Sequence, residues 1–156
     1  MTLEERIARL EAEADIRRLK ARYLNACDKK DAKGMSGCFT PDAVIEFPLV
    51  NVKAGPKELE ETFTELAVKT PIVDQHQGHN AEITVIDENN AKGVWHLAYT
   101  LYDPRSGIFR LLSAFYEDHY VRTPQGWLMS YSRNDARAVV DGKLEAGSVT
   151  ANWIQL

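Results

Sequence analysis

Residues 74–102 read DQHQGHNAEITVIDENNAKGVWHLAYTLY. The polar run Asp87-Glu88-Asn89-Asn90 separates two segments rich in strand-forming residues, which is the signature of a hairpin. The first segment opens with His76 and His79, and the second carries His96 and Tyr99. Three of the chain's four histidines therefore fall in one hairpin. No other stretch concentrates titratable side chains on a stiff element in this way.

Upstream of the hairpin the pattern is helical. Leu3, Ile7, Leu10 and Ala14 recur at helical spacing, and Ile16, Leu19, Tyr23 and Cys27 continue the stripe, so one long helix is expected over residues 3 to about 29. Its first turns, residues 1–14, form a helical N-terminal extension that lies on the fold or meets a partner. Asp31 is placed to cap a short turn through Met35. Phe39 to Ala43 reads as a turn into the short strand Val44–Phe47, and Gly55-Pro56 opens a helix with Leu59, Phe63 and Leu66 on its buried side. Downstream, strands are expected at about 109–122 and 127–135, split by Thr123-Pro124-Gln125-Gly126. The tail, residues 136–156, shows no clear period, and its Trp153 and Ile154 suggest docking on the core or on a neighbouring subunit. Consecutive strands joined by short turns are antiparallel. The expected architecture is α+β: one domain spanning residues 1–156, with a curved antiparallel sheet and helices over one face.

Strand alternation then sorts the candidates. A regular first strand puts His79 with Ala81, Ile83 and Val85 on the apolar face, and puts His76 on the other. His76 reaches the same side only through a bulge, for which Gly78 is the candidate. Trp95, Leu97, Tyr99 and Leu101 share a face of the second strand, and Trp127, Met129, Tyr131 and Arg133 share a face of the last. A guanidinium on such a face needs an anionic partner, and Asp28 is the candidate. A buried Tyr23 needs a hydrogen-bond partner as well. Each residue also has a plainer reading: His79 as a bonded core residue, Arg133 as a snorkelling edge residue, Tyr23 as core, and His96 and His119 as structural or exposed.

Composition narrows the classes. The 156 residues are 44% hydrophobic and 27% charged with a net charge of −4, so nothing favours nucleic acid. No apolar run approaches the roughly 18 residues of a membrane span. The charged start MTLEERIARLEAEAD is no signal peptide. Cys27 and Cys38 match no metal or redox spacing and suit a reducing cytoplasm. His76 and His79 lack a third metal ligand at any recognisable spacing, and neither a phosphate-cradling glycine loop nor a serine nucleophile motif occurs. No metal or cofactor is expected.

The segment EADIRRLKARYLNACDKKDAKGMSGCFTPDAVIEF resembles the opening of the SnoaL-like family, within the nuclear-transport-factor-like α+β cone superfamily. The resemblance rests on Tyr23 five residues before Asp28, on Phe39 to Ala43, on His76 to Ile83, and on Ala91 and Gly93 to Trp95. It is greatest toward bile-acid dehydratases, with scytalone dehydratase and hexachlorocyclohexane dehydrochlorinase more distant, and covers roughly residues 10 to 135. It implies a cone-shaped sheet with helices over the concave face, and a homodimer or homotrimer built on the outer sheet face, to which Phe109, Tyr116 and Tyr120 would contribute. It further implies a cofactor-independent, dehydratase-like lyase or isomerase acting on a small apolar, cyclic or steroid-like molecule. His79 or His76 would be the base, Asp28 would orient it, Tyr23 would donate to the oxyanion and Arg133 would stabilise negative charge. Tyr99 is a candidate proton donor to the leaving group. Tyr99, Trp95, Met129, Tyr131, Phe47 and Phe63 would line the substrate pocket. The alternative is a non-catalytic ligand-binding or subunit-assembly domain of the same fold, because the relatives' second acid–base group is not reproduced.

Overall fold

A computed structural model describes residues 1–145 and 148–154. A capping box opens the first helix: Glu5 N–H donates to Thr2 Oγ1 at 3.1 Å, and Thr2 N–H donates to Glu5 Oε2 at 2.7 Å. Helix α1 then runs from Leu3 to Asp28, 26 residues. Its stripe divides in two. Ile16, Leu19, Tyr23, Leu24 and Cys27 are buried, whereas Leu3, Ile7 and Leu10 face water. Helix α2 (Ala32–Ser36) is capped by Asp31, which accepts from Gly34 N–H at 2.9 Å. Helix α3 (Pro56–Phe63) has Pro56 at its first position and ends in a widened turn, Thr64–Val68.

The strands are β1 (Phe39–Phe47), β2 (Val52–Ala54), β3 (Val73–Val85), β4 (Asn90–Asp103), β5 (Ile108–Thr123), β6 (Gly126–Glu145) and β7 (Ser148–Ile154). They form one sheet in the order β2-β1-β6-β5-β4-β3, with β7 also on β6. The architecture is the expected α+β, with two differences of detail. First, β1 pairs with β6 in parallel, which the long connection through β2, α3, β3, β4 and β5 permits. Second, residues 136–145 are no loose tail but continue β6, against which the backbone of β7 returns in antiparallel pairing. The side chains of Trp153 and Ile154 lie outside the described residues.

Helix α1 packs across the inner sheet face. The Tyr23 ring meets Phe39 and Tyr116 edge-on, with centroids 5.6 and 6.3 Å away. Deeper still, Lys20 and Asp118 form an ion pair at 2.8 Å with both side chains fully buried. Ser132 Oγ and the Tyr120 hydroxyl also donate to Asp118, and Trp95 Nε1–H donates to Tyr120. Burial pushes Lys20 below its ordinary range, and the Asp118 carboxylate pulls it back. Tyr116 and Tyr120 are therefore inner-face residues, not the outer-face residues that the resemblance to oligomeric relatives led one to expect. Phe109 does lie on the outer side, against Gly142, where an added Cβ would meet its ring at 2.1 Å.

Among the described residues, no helix is long and apolar enough to cross a membrane.

Candidate active site

Two bulges decide where the side chains singled out in the sequence point. In β3 the register slips between His79 and Glu82, where Asn80 takes a left-handed φ of 52°. The bulge thus sits after His79 and not at Gly78. Asp74 and His76 point inward before it, Ala81, Ile83 and Val85 point inward after it, and His79 is turned out to solvent. In β6 the register slips at Ser130, between Met129 and Tyr131. Trp127 and Met129 face inward; beyond the slip Ser132 and Asn134 do so, leaving Tyr131, Arg133 and Asp135 outside.

Of these inner groups, Asp74, His76 and Asn134 line a cavity of about 390 Å³ under α3. His76 lies on its wall with its ring held from behind by Asp28. The last residue of α1 delivers that carboxylate to the start of β3. Asp28 Oδ1 is 2.7 Å from His76 Nδ1 and also accepts the His76 backbone N–H at 2.9 Å. A carboxylate is an acceptor, so in the neutral imidazole Nδ1 carries the proton and Nε2 keeps a lone pair.

Two residues further along the same helix end, Lys30 pairs with Asp74, two residues before His76. Asp74 also accepts from the Tyr99 hydroxyl at 3.4 Å. Tyr99 is directly opposite His76 in the ladder, with ring centroids 4.7 Å apart. Burial, and then the Asp74 charge, push its phenol well above the ordinary range, so it stays protonated.

Arg110 also lines the cavity and grips Asp141 through two hydrogen bonds of 2.6 and 2.7 Å. Those bonds hold the Asp141 carboxyl below its usual range. A carboxylate whose folded pKa is depressed stabilises the fold above its unfolded value, about 3.9, and that contribution disappears as the pH falls through the folded value. Urea unfolding midpoints between pH 6 and pH 2 should fall less steeply in Asp141→Asn than in the wild type. Parallel slopes would show that this pair carries no linkage.

Deeper in, Tyr23, Tyr116, Cys27 and Asn134 face the same cavity. Burial raises both phenols, each helped by neighbouring groups, so both remain proton donors. Burial also pushes the Cys27 thiol up to about 12, which keeps it un-ionised and a poor nucleophile. Asn134 is 8% exposed, yet its Nδ2 has no hydrogen-bond partner. A buried amide without a partner costs about 1–3 kcal/mol, which a ligand oxygen would recover.

The site therefore differs from the sequence reading at named places. Tyr23, Asp28, His76, Tyr99, Phe47 and Phe63 are gathered at the cavity or directly behind it. His79 is not; it lies outside, 5.7 Å from His96 between ring centroids. Arg133 does not meet Asp28. It binds Asp135 through two hydrogen bonds and Glu46 through a third on the outer face. Tyr131 is there too, donating to Glu46 at 3.0 Å. Trp95 and Met129 face inward but are sealed in the core, away from the cavity lining. Sequence reasoning passed over Asp74, Lys30 and Arg110. The available signal was spacing: Asp74 is two residues before His76, and Arg110 shares the alternation of Leu112 and Tyr116. Among the described residues, no group of three His, Cys, Asp or Glu side chains is placed to hold a metal ion.

The fold is an α+β cone whose cavity carries an Asp–His pair in its wall, and the chain's family follows from its sequence. Residues 8–133 match the SnoaL-like domain, and the chain belongs to that family. No curated protein matches it. Among solved structures it is similar to a Novosphingobium aromaticivorans protein assigned provisionally as a scytalone dehydratase. The two share 17% identity over 93% of this chain and 94% of that one, with a TM-score of 0.78. It is also similar to a hexachlorocyclohexane dehydrochlorinase from Novosphingobium barchaimii, at 16% identity over 94% and 93% of the chains and a TM-score of 0.74. A third similar structure is a nuclear-transport-factor-like protein with a cystatin-like fold from Novosphingobium aromaticivorans. It shows 22% identity over 85% and 86% of the chains, with a TM-score of 0.70. At these identities the likeness establishes the fold.

Proposed function

We propose that this protein is a cofactor-independent lyase or isomerase that removes a proton next to an activating carbonyl of a small, largely apolar molecule. The observation that carries this reading is the Asp28–His76 pair at the wall of a half-closed, largely apolar cavity. His76 Nε2 is the base, and Asp28 is a positioning residue that fixes the tautomer and stabilises the imidazolium. Negative charge on the carbonyl oxygen is met by the unpartnered Asn134 amide, with the Tyr23 and Tyr116 phenols beside it. Each such donor in a dry site is worth about 3 kcal/mol in the transition state. Loss of a leaving group from the adjacent carbon completes a lyase; return of the proton elsewhere completes an isomerase. The structural neighbours named above include a dehydrochlorinase, which supports the elimination branch.

The test is a panel of cyclic β-substituted ketones assayed by loss of the substituent and by solvent deuterium exchange. His76→Gln should abolish both, whereas His79→Gln, on the outer face, should match the wild type. Equal activity in the two variants would sink the assignment of the base and return the protein to a binding role. We further propose a homodimeric or homotrimeric assembly, from the family resemblance alone, and a cytoplasmic location, from the unpaired thiols Cys27 and Cys38.

A further inference from the structure

We infer that the ligand of this cavity carries a hydroxyl, or an equivalent hydrogen-bond donor, beside the imidazole, because the corner formed by His76, Tyr99 and Asp74 offers only acceptors. This deepens the reading under Proposed function and rests on the cavity being the ligand site, but not on turnover.

Three facts build that corner. Asp28 accepts the hydrogen bond from His76 Nδ1–H, so in the neutral imidazole Nε2 presents a lone pair. The Tyr99 hydroxyl has a single proton. Asp74 can only accept, so the Tyr99 proton is directed to Asp74 and a lone pair on the phenol oxygen is left for the cavity. The Asp74 side chain is 4% exposed, with one oxygen toward Lys30 and the other toward Tyr99, and each oxygen retains acceptor capacity. The charged and titratable neighbours of Tyr99 include one donor, Arg110, three of whose five N–H groups are not taken by Asp141. Asp74 and His76 come from β3 and Cys27 from α1. Lys30 is turned toward Asp74, and the Arg110 guanidinium spends its Nε–H and one terminal N–H on Asp141. Tyr99 is thus no proton donor to a leaving group; it receives a hydrogen bond from the ligand. A carbonyl or ether oxygen placed here would face three lone-pair groups and be repelled. The unpartnered donor, Asn134, lies elsewhere in the cavity, on β6 opposite Tyr116. A ligand with its donor at one end and its acceptor at the other is held in one orientation.

The experiment uses the intact protein and a matched pair of probes, 2-indanol and 2-methoxyindane. They share a carbon frame and differ in whether the oxygen can donate. Binding is followed by chemical-shift changes of the His76 and Tyr99 rings. The wild type should bind the alcohol about tenfold more tightly than the ether, the discrimination of roughly one hydrogen bond. Tyr99→Phe removes the accepting oxygen and should shrink that ratio at least threefold. Asp74→Leu combined with Lys30→Met releases the Tyr99 proton toward the cavity, so the ether should gain and the ratio should approach one. If the double variant does not fold, Tyr99→Phe alone decides. Equal binding of the two probes by the wild type overturns the inference, as does a preference that Tyr99→Phe leaves undiminished, or no shift of either ring with either probe. Because none of these measurements needs turnover, an inactive His76→Gln control cannot be mistaken for their failure.

Discussion

Asp28→Ala should lower turnover on the order of a thousandfold, whereas Asp28→Asn, whose one amide oxygen can still accept both bonds, should lower it less. The contrast follows from one oxygen. Both hydrogen bonds to His76, from the ring at 2.7 Å and from the backbone at 2.9 Å, end on Asp28 Oδ1. Asparagine presents the same oxygen and so preserves the ring's direction and tautomer. What it loses is the charge that stabilises the imidazolium formed when His76 takes a proton. Alanine loses both, and leaves a backbone N–H and a ring N–H seeking water in a half-closed site. A purely structural Asp28 would behave differently: the two variants would fall together in unfolding temperature, and kcat would follow folded fraction. Single-turnover rates beside unfolding curves separate the cases. If Asp28→Ala keeps kcat within a few-fold of wild type, the imidazole is not working through this carboxylate.

The second large effect concerns stability. Lys20→Met should destabilise the fold by about 3–5 kcal/mol, a large share of the total stability of a domain this size. Removing the ammonium strands a carboxylate that is completely enclosed. Ser132 and Tyr120 would still donate to Asp118, which softens the loss without replacing a full positive charge. The ammonium also lies 3.4 Å from the centre of the Tyr116 ring, so a cation–π contact on the cavity's own lining goes with it. The double variant Lys20→Met, Asp118→Asn should be more stable than Lys20→Met alone. It abolishes the unpaired charge while the amide oxygen still accepts from Ser132 and Tyr120. Urea midpoints of the wild type, the two single variants and the double variant close the cycle. Additive losses would mean that the two charges do not depend on each other, contrary to their distance and enclosure.

The amino-acid sequence by itself determined the architecture and much of the chemistry. Apolar spacing marks α1 from its first turns to Asp28, and the polar run at Asp87 to Asn90 marks the β3–β4 hairpin. The alternation of Trp95, Leu97, Tyr99 and Leu101 runs through an unbroken stretch of β4, and each of them faces inward. Tyr23, Asp28 and Tyr99 were therefore legible as neighbours of one hollow. Only the tertiary structure decided between His76 and His79 and sent Arg133 outward. The reason is the same in both strands. A period of two carries orientation forward only while the ladder is regular, and one extra residue reverses every side chain beyond it. Gly78 looked like the place for such a residue, yet its lack of a Cβ serves Leu24, whose Cδ1 lies 2.6 Å from where one would be. The slip fell instead at Asn80, whose side chain tolerates the left-handed backbone, and at Ser130, which carries no local signal at all. Asp74, Lys30 and Arg110 joined the site for a related reason. Their roles are set by partners 31 to 44 residues away, and such distances become contacts only when the helix end and the sheet meet.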